Sequence, residues 1–191
     1  MRGDTDMQDV QNLPDLRGID IQKVGVKDVH LPLQIAAKEG GWQSVLGIVS
    51  LSVALPMQFK GAHMSRFMEV LLPWSRKPIS NVEILAILRE TCDALAAQRA
   101  DISIRFKYFV SKTAPVSGKE SVLDYNCEFT GALDGKRHSF SMAVEVPVTS
   151  CCPCSKEISD YGAHNQRTMI RARVKFSSAG SVPQAIGIQL S

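Results

Sequence analysis

The chain has no stretch approaching the roughly 18–20 consecutive apolar residues that a membrane span requires, and its start, "MRGDTDMQDVQNLPD", lacks the apolar segment of a secretory signal. These two absences make a membrane or secreted protein the poorer expectation and cytoplasm the better one. No run of Lys or Arg exceeds two residues and the formal net charge is only +3, which gives no electrostatic footprint for nucleic acid. Cysteine is scarce and odd in number, five in 191 residues, so a disulfide framework is not expected. A composition that is 45% hydrophobic and 21% charged is that of an ordinary globular chain able to bury a core.

What is present is concentrated. The segment "TSCCPCSKEISDYGAHNQR", residues 149–167, holds three of the cysteines and one of the four histidines. Cys151, Cys152, Cys154 and His164 offer soft thiolates and an imidazole, donors suited to zinc or another late first-row metal. The spacing is not that of a common finger. If all four bind, the shell is closed and the metal structural; if one thiolate and His164 bind, positions remain for water and substrate. A redox couple between Cys152 and Cys154 is disfavoured, because residues two apart on a proline-stiffened extended chain do not present the geometry a disulfide needs.

Around this segment the hydrophobic pattern predicts alternating elements. Residues 1–22 read as an irregular arm. "VGVKDVHLPLQIAAK" predicts a strand with a phase slip between Val26 and Val29, the sign of a bulge. "QSVLGIVSLSVALPMQ" predicts its antiparallel partner. A short helix before Pro73 follows, and then a longer one opened by Ser80 and Glu83 as a capping box, with Val82, Leu85, Leu88, Cys92 and Leu95 on one stripe. Strands return around Ile102–Val110, Leu123–Leu133, His138–Val146 and Ile170–Phe176, and "DGK" supplies turn chemistry between the middle pair. Cys92 and Cys127 share the apolar phases of their elements and read as core thiols. Arg171, Arg173 and Lys175 form a basic strand face for solvent or phosphate. The final "SAGSVPQAIGIQLS" reads as a loop leading into a helical turn.

"PVTSCCPCSKEISDYGAHNQR", together with "DVQNLPDLRGIDIQKVGVKDV", "FKGAHMSRFMEVL" and "KTAPVSG…SVLDYNCEFTG", resembles type IB GTP cyclohydrolase I, the metal-dependent enzyme that opens the imidazole ring of GTP. The resemblance implies an α+β tunnelling fold, an antiparallel sheet backed by two helices. On that plan residues 23–134 form a first module and residues 135–191 an incomplete second one that carries the metal loop. It further implies that Cys152 and His164 are the metal ligands, with Cys154 outside the shell; a thiolate ligand can also carry protons, which makes Cys152 the candidate catalytic residue. Zinc is the expected ion, with manganese or iron as alternatives. His63, Asn165 and Gln166 are candidate substrate contacts. GTP is the implied substrate and the chain itself the implied partner, as a homo-oligomer, a tetramer in the family. Against that family the chain is expected to be incomplete at its C-terminal side, lacking the carboxylate that completes the metal shell and the acid that anchors guanine.

Overall fold

The structure is a computed structural model that describes residues 21–37, 41–55, 62–114, 116–151 and 165–179. The elements are β1 (Ile21–Ala36), β2 (Trp42–Leu55), α1 (Met64–Trp74), β3 (Pro78–Ile79), α2 (Asn81–Ala94), β4 (Arg99–Thr113), β5 (Glu120–Asp134), β6 (Arg137–Cys151) and β7 (Asn165–Ala179). All seven strands join one sheet in the order β3-β1-β2-β4-β5-β6-β7.

The phase slip read from the sequence is a bulge. Val26 pairs with Leu51 but Val29 with Val49, so β1 carries one residue more than β2 over this interval. Asp28 absorbs the extra residue with φ 53, in the left-handed region that Asp tolerates better than most residues. It is held there by its N–H donating to Ser50 Oγ at 3.2 Å and by its carboxylate accepting from Arg105 at 2.6 Å. Apolar residues therefore stay on one face across the slip, with Leu31, Leu33 and Ile35 all buried.

Helix α2 begins where the capping box predicts. Ser80 Oγ accepts from Val82 N–H at 3.2 Å and Glu83 accepts from Ser80 N–H at 2.8 Å, which satisfies donors that a helix start leaves open. Its buried Ile84, Leu85, Ile87 and Leu88 pack on β4, β5 and β6. Each such side chain contributes about 1.5–3 kcal/mol on full burial. Helix α1 runs through Pro73 to Trp74, further than expected, because Pro73 sits in the last turn and Ser75 N–H still reaches Leu71 O at 3.2 Å. Under α2, Phe129 meets Phe106 and Phe140 edge-on at 5.0 and 5.3 Å.

The expected tunnelling fold is corrected. In place of two helices packed on an antiparallel sheet, with a first module complete and a second cut short, the chain forms a single mixed sheet of seven strands with two helices. Two observations overturn the expectation. Pro78–Ile79 pairs parallel with β1, which makes the sheet mixed. The ladder then runs without a break from β5 through β6 to β7, because Gly135 (φ 55) closes a tight turn that keeps β6 on β5.

Both helices lie on one face of this sheet, and β7 extends beyond their reach. Ile170, Val174 and Phe176 occupy the apolar phase of β7 yet remain 53%, 48% and 38% exposed. No helix among the described residues is long and apolar enough to cross a membrane.

Candidate functional site

Along β6 and β5, pairing stops at Asn126↔Glu145, whereas β6 and β7 stay paired as far as Cys151↔Asn165. At the same level β5 turns to β4 alone, and their pairing runs out to Thr113↔Glu120. The sheet thus divides at this end into hairpin arms, and the β6–β7 arm carries the cysteine and histidine segment. A similar split between β2 and β4, beyond Ile48↔Arg105, is bridged by a side chain. Gln43 donates to Phe109 O at 2.9 Å and accepts from Phe109 N–H at 2.8 Å, which replaces a rung of the ladder.

Cys152, Cys154 and His164 lie outside the described residues. Cys151 and Asn165, the residues that precede Cys152 and follow His164 in the chain, form the last pair of the ladder. Facing residues in an antiparallel pair have Cα atoms about 4.5–5.5 Å apart. Gln166 is opposite Ser150 on the next rung.

His63 is elsewhere. Its carbonyl accepts from Arg66 N–H at 3.1 Å, and Arg66 in turn donates to Ala94 O at 2.9 Å, just ahead of β4 and its Arg99↔Asp134 pair. That is the end of the sheet where β6 begins at Arg137, and β6 then runs roughly 46 Å, at about 3.3 Å per residue, to Cys151. Within one chain the structure brings together the neighbours of Cys152 and His164, and it does not bring His63 to them.

The fork between the arms is a groove of about 590 Å³ on the face opposite the helices, lined in part by Leu46, Ile48, Phe109, Glu128, Glu145 and Arg171. Arg171 donates to Glu145 at 3.1 Å and to Glu128 at 2.5 Å, while Arg173 reaches Glu128 at 2.8 Å. Glu128 also accepts from Ser103 at 3.2 Å, and Asn126 donates to Glu145 at 3.1 Å. The basic strand face is therefore tied largely to carboxylates. Sequence reasoning missed Glu128 and Glu145, because each lies in the polar phase of its strand and only the register sets it beside an arginine. On the neighbouring arm, the Lys107 ammonium holds the Asp124 carboxyl below its ordinary range, first by hydrogen bond and then by charge.

Cys92 and Cys127 are buried free thiols, each pushed up to about 11 chiefly by burial. Neutral thiols are poor ligands, since metals bind the thiolate. Among the described residues no three His, Cys, Asp or Glu side chains are grouped to hold a metal.

These features define a mostly-sheet α+β chain with a cysteine- and histidine-bearing hairpin arm beside a charged groove. A family model described as Type I GTP cyclohydrolase folE2 matches residues 7–189. Among relatives, the GTP cyclohydrolase FolE2 of Magnetococcus marinus is 46% identical over 171 residues, which covers 90% of this chain and 64% of that protein. The GTP cyclohydrolase FolE2 of Syntrophus aciditrophicus is 48% identical over 170 residues, covering 89% and 66%. That of Geobacter metallireducens is 44% identical over 173 residues, covering 91% and 66%. The chain belongs to the GTP cyclohydrolase FolE2 family. It spans a little under two thirds of the length of these relatives. The matches correct the expected assignment to GTP cyclohydrolase I with a tunnelling fold: the family shown is GTP cyclohydrolase FolE2, distinct from type I FolE, and the mixed seven-stranded sheet is not the expected tunnelling fold.

Proposed function

We propose that the chain carries GTP cyclohydrolase activity: hydrolytic opening of the guanine imidazole ring of GTP, release of C8 as formate, and reclosure to 7,8-dihydroneopterin triphosphate. This is the first step of tetrahydrofolate synthesis. The observation that carries the reading is 44–48% identity to proteins of that name across about nine tenths of this chain, with the Cys–His segment inside the matched region.

The donors fit a divalent cation. Cys152 follows Cys151 and His164 precedes Asn165 in the chain, and Cys151 pairs with Asn165 on the last rung of the ladder, which supports a thiolate and an imidazole serving one ion. One soft sulfur and one nitrogen suit zinc first, with manganese or iron as alternatives once carboxylate and water join the shell. When bound, such an ion supplies Lewis acidity that makes water a nucleophile near neutral pH. Two water molecules enter, the first adding across the C8–N bond and the second cleaving the resulting formamide to formate, and one leaves when the freed amine condenses with the carbonyl of the rearranged ribose to reclose the ring. Each addition needs a proton taken and returned, and the Cys152 sulfur is placed in sequence to serve as that carrier as well as a ligand.

Asn165 and Gln166 follow His164 directly on β7, and their carboxamides offer both donors and acceptors to a purine edge. His63, at the far end of the sheet, would join this site only from a second copy, which accords with the homo-oligomer the resemblance implies.

The test is formate and pterin formation from GTP by protein loaded with zinc, manganese or iron. Cys152→Ser and His164→Ala are expected to lose both metal and turnover, and Cys154→Ser to keep the metal. Loss of metal in Cys154→Ser as complete as in Cys152→Ser would replace the open site by a closed structural one.

A further inference from the structure

Away from the forked end, the face opposite the helices holds a second recess of about 690 Å³ to which six strands contribute. Its floor is unusual for the middle of a sheet. One row of facing residues runs Ser50, Ser103, Thr130, Ser141 and Lys175 across β2, β4, β5, β6 and β7. Ser103 donates its proton to Glu128, Thr130 and Ser141 share one hydrogen bond, and Ser50 accepts from Asp28 N–H, which leaves the Ser50 proton and one proton of the Thr130–Ser141 pair to donate to a ligand. Gly25 lets β1 pass close against β2 at the edge of the recess, because a Cβ there would meet Leu51 O at 2.0 Å.

The rim is cationic. Lys23, Lys27, Arg173 and Lys175 line it against a single carboxylate, Asp101. Asp101 is engaged by Arg99 at 3.4 Å and Arg173 by Glu128 at 2.8 Å. Among the described residues no carboxylate forms an ion pair with Lys23, Lys27 or Lys175. Three ammonium groups without a carboxylate partner among the described residues, set around a hydroxyl floor, leave a local positive potential in a concave surface, where field lines are focused.

We propose that this recess binds a multivalent oxyanion of the phosphate class, with Lys23, Lys27 and Lys175 supplying charge and the hydroxyl row supplying hydrogen bonds. It is separate from the hairpin site of the same chain, since β6 covers roughly 33 Å from Ser141 to Cys151 at about 3.3 Å per residue. The proposal does not depend on the cyclohydrolase reading.

Titration calorimetry of the full chain with inorganic pyrophosphate tests it without any turnover. One saturable site that weakens steeply with added salt is expected. Replacing Lys23, Lys27 and Lys175 together by Gln should weaken binding by more than about tenfold, given about 1 kcal/mol per unit charge at short range in water. Lys119→Gln, in the β4–β5 turn at the opposite end, should leave it unchanged. Absence of saturable binding, equal affinity in the triple variant, or equal weakening by Lys119→Gln would each overturn the assignment.

Discussion

Replacing Gly131 by alanine adds one methyl group where the structure has no room for it. The new Cβ would stand 2.5 Å from Ile84 Cγ2, 3.1 Å from Leu88 Cδ1 and 3.2 Å from Ile102 Cγ2. Carbon contacts are comfortable at about 3.5–4.0 Å, so Ile84 must yield about 1 Å. Ile84 is 1% exposed and lies on α2 against the sheet, so it has no solvent side to turn to. Loss of glycine's backbone freedom favours the variant by about 0.4–1 kcal/mol, while overpacking costs about 1–3 kcal/mol. The net expectation is a loss of about 1–2 kcal/mol, read as a lower urea midpoint by circular dichroism with the slope unchanged. Ile84→Ala alone opens a cavity at a cost of about 2–5 kcal/mol. The double variant lets the added methyl occupy part of that cavity, so its cost should fall short of the sum by at least about 1 kcal/mol. A neutral Gly131→Ala, or strict additivity in the pair, would refute the close approach of α2 to β5.

Three further outcomes follow from the same coordinates. Ser80→Ala removes an acceptor from the start of α2 and should cost about 1 kcal/mol, a fall of about 2–4 °C in Tm for a chain of this size. Burial holds the Cys92 and Cys127 thiols near 11 in the fold against 9.0 ordinarily, so the unfolded chain gives up these protons first. Stability from this source is complete below about pH 9 and is lost as pH rises towards 11; urea midpoints across that range should fall, and fall less when both residues are Ala. Gln43→Ala deletes the two bonds to Phe109 and should speed hydrogen exchange at the Phe109 amide while leaving exchange at Ile104 unchanged.

Much of the fold is legible from residue order because local signals and tertiary packing agree. The Val26–Val29 slip and the Ser80–Glu83 box appear where their residue types require, and the α2 stripe does so at Leu85, Leu88 and Cys92, whereas Val82 is only half-buried and Ile84 and Ile87 are buried beside the expected stripe. Cys92 and Cys127 are core thiols, as their phases imply. Two kinds of feature escape. Pro78–Ile79 is too short to carry a period, and its parallel pairing with β1 exists only once α1 has turned the chain back. The Glu128 and Glu145 contacts arise from register between strands, as does the hydroxyl row, and no single strand records its neighbour's phase. The tunnelling fold failed as an expectation for a related reason. It was carried by resemblance, whereas the residues themselves specify hairpins that continue the sheet from β5 to β7. The hairpin site is legible only in part: its residue types and its flanking pair are fixed, and Cys152 and His164 lie outside the described residues.

The surplus residue at Asp28 has a geometric reach beyond β1. A chain with Asp28 deleted would still alternate correctly through Val24, Val26 and Val29, so from Val24 onward β1 and β2 would zip together without interruption. What disappears is the local coiling that such an insertion imposes on its strand. Lys27 would lose the tilt that sets it at the rim of the recess, and Arg105 would lose its anchor. A flatter platform of seven strands would then offer dissolved ions a plain where the parent offers a hollow.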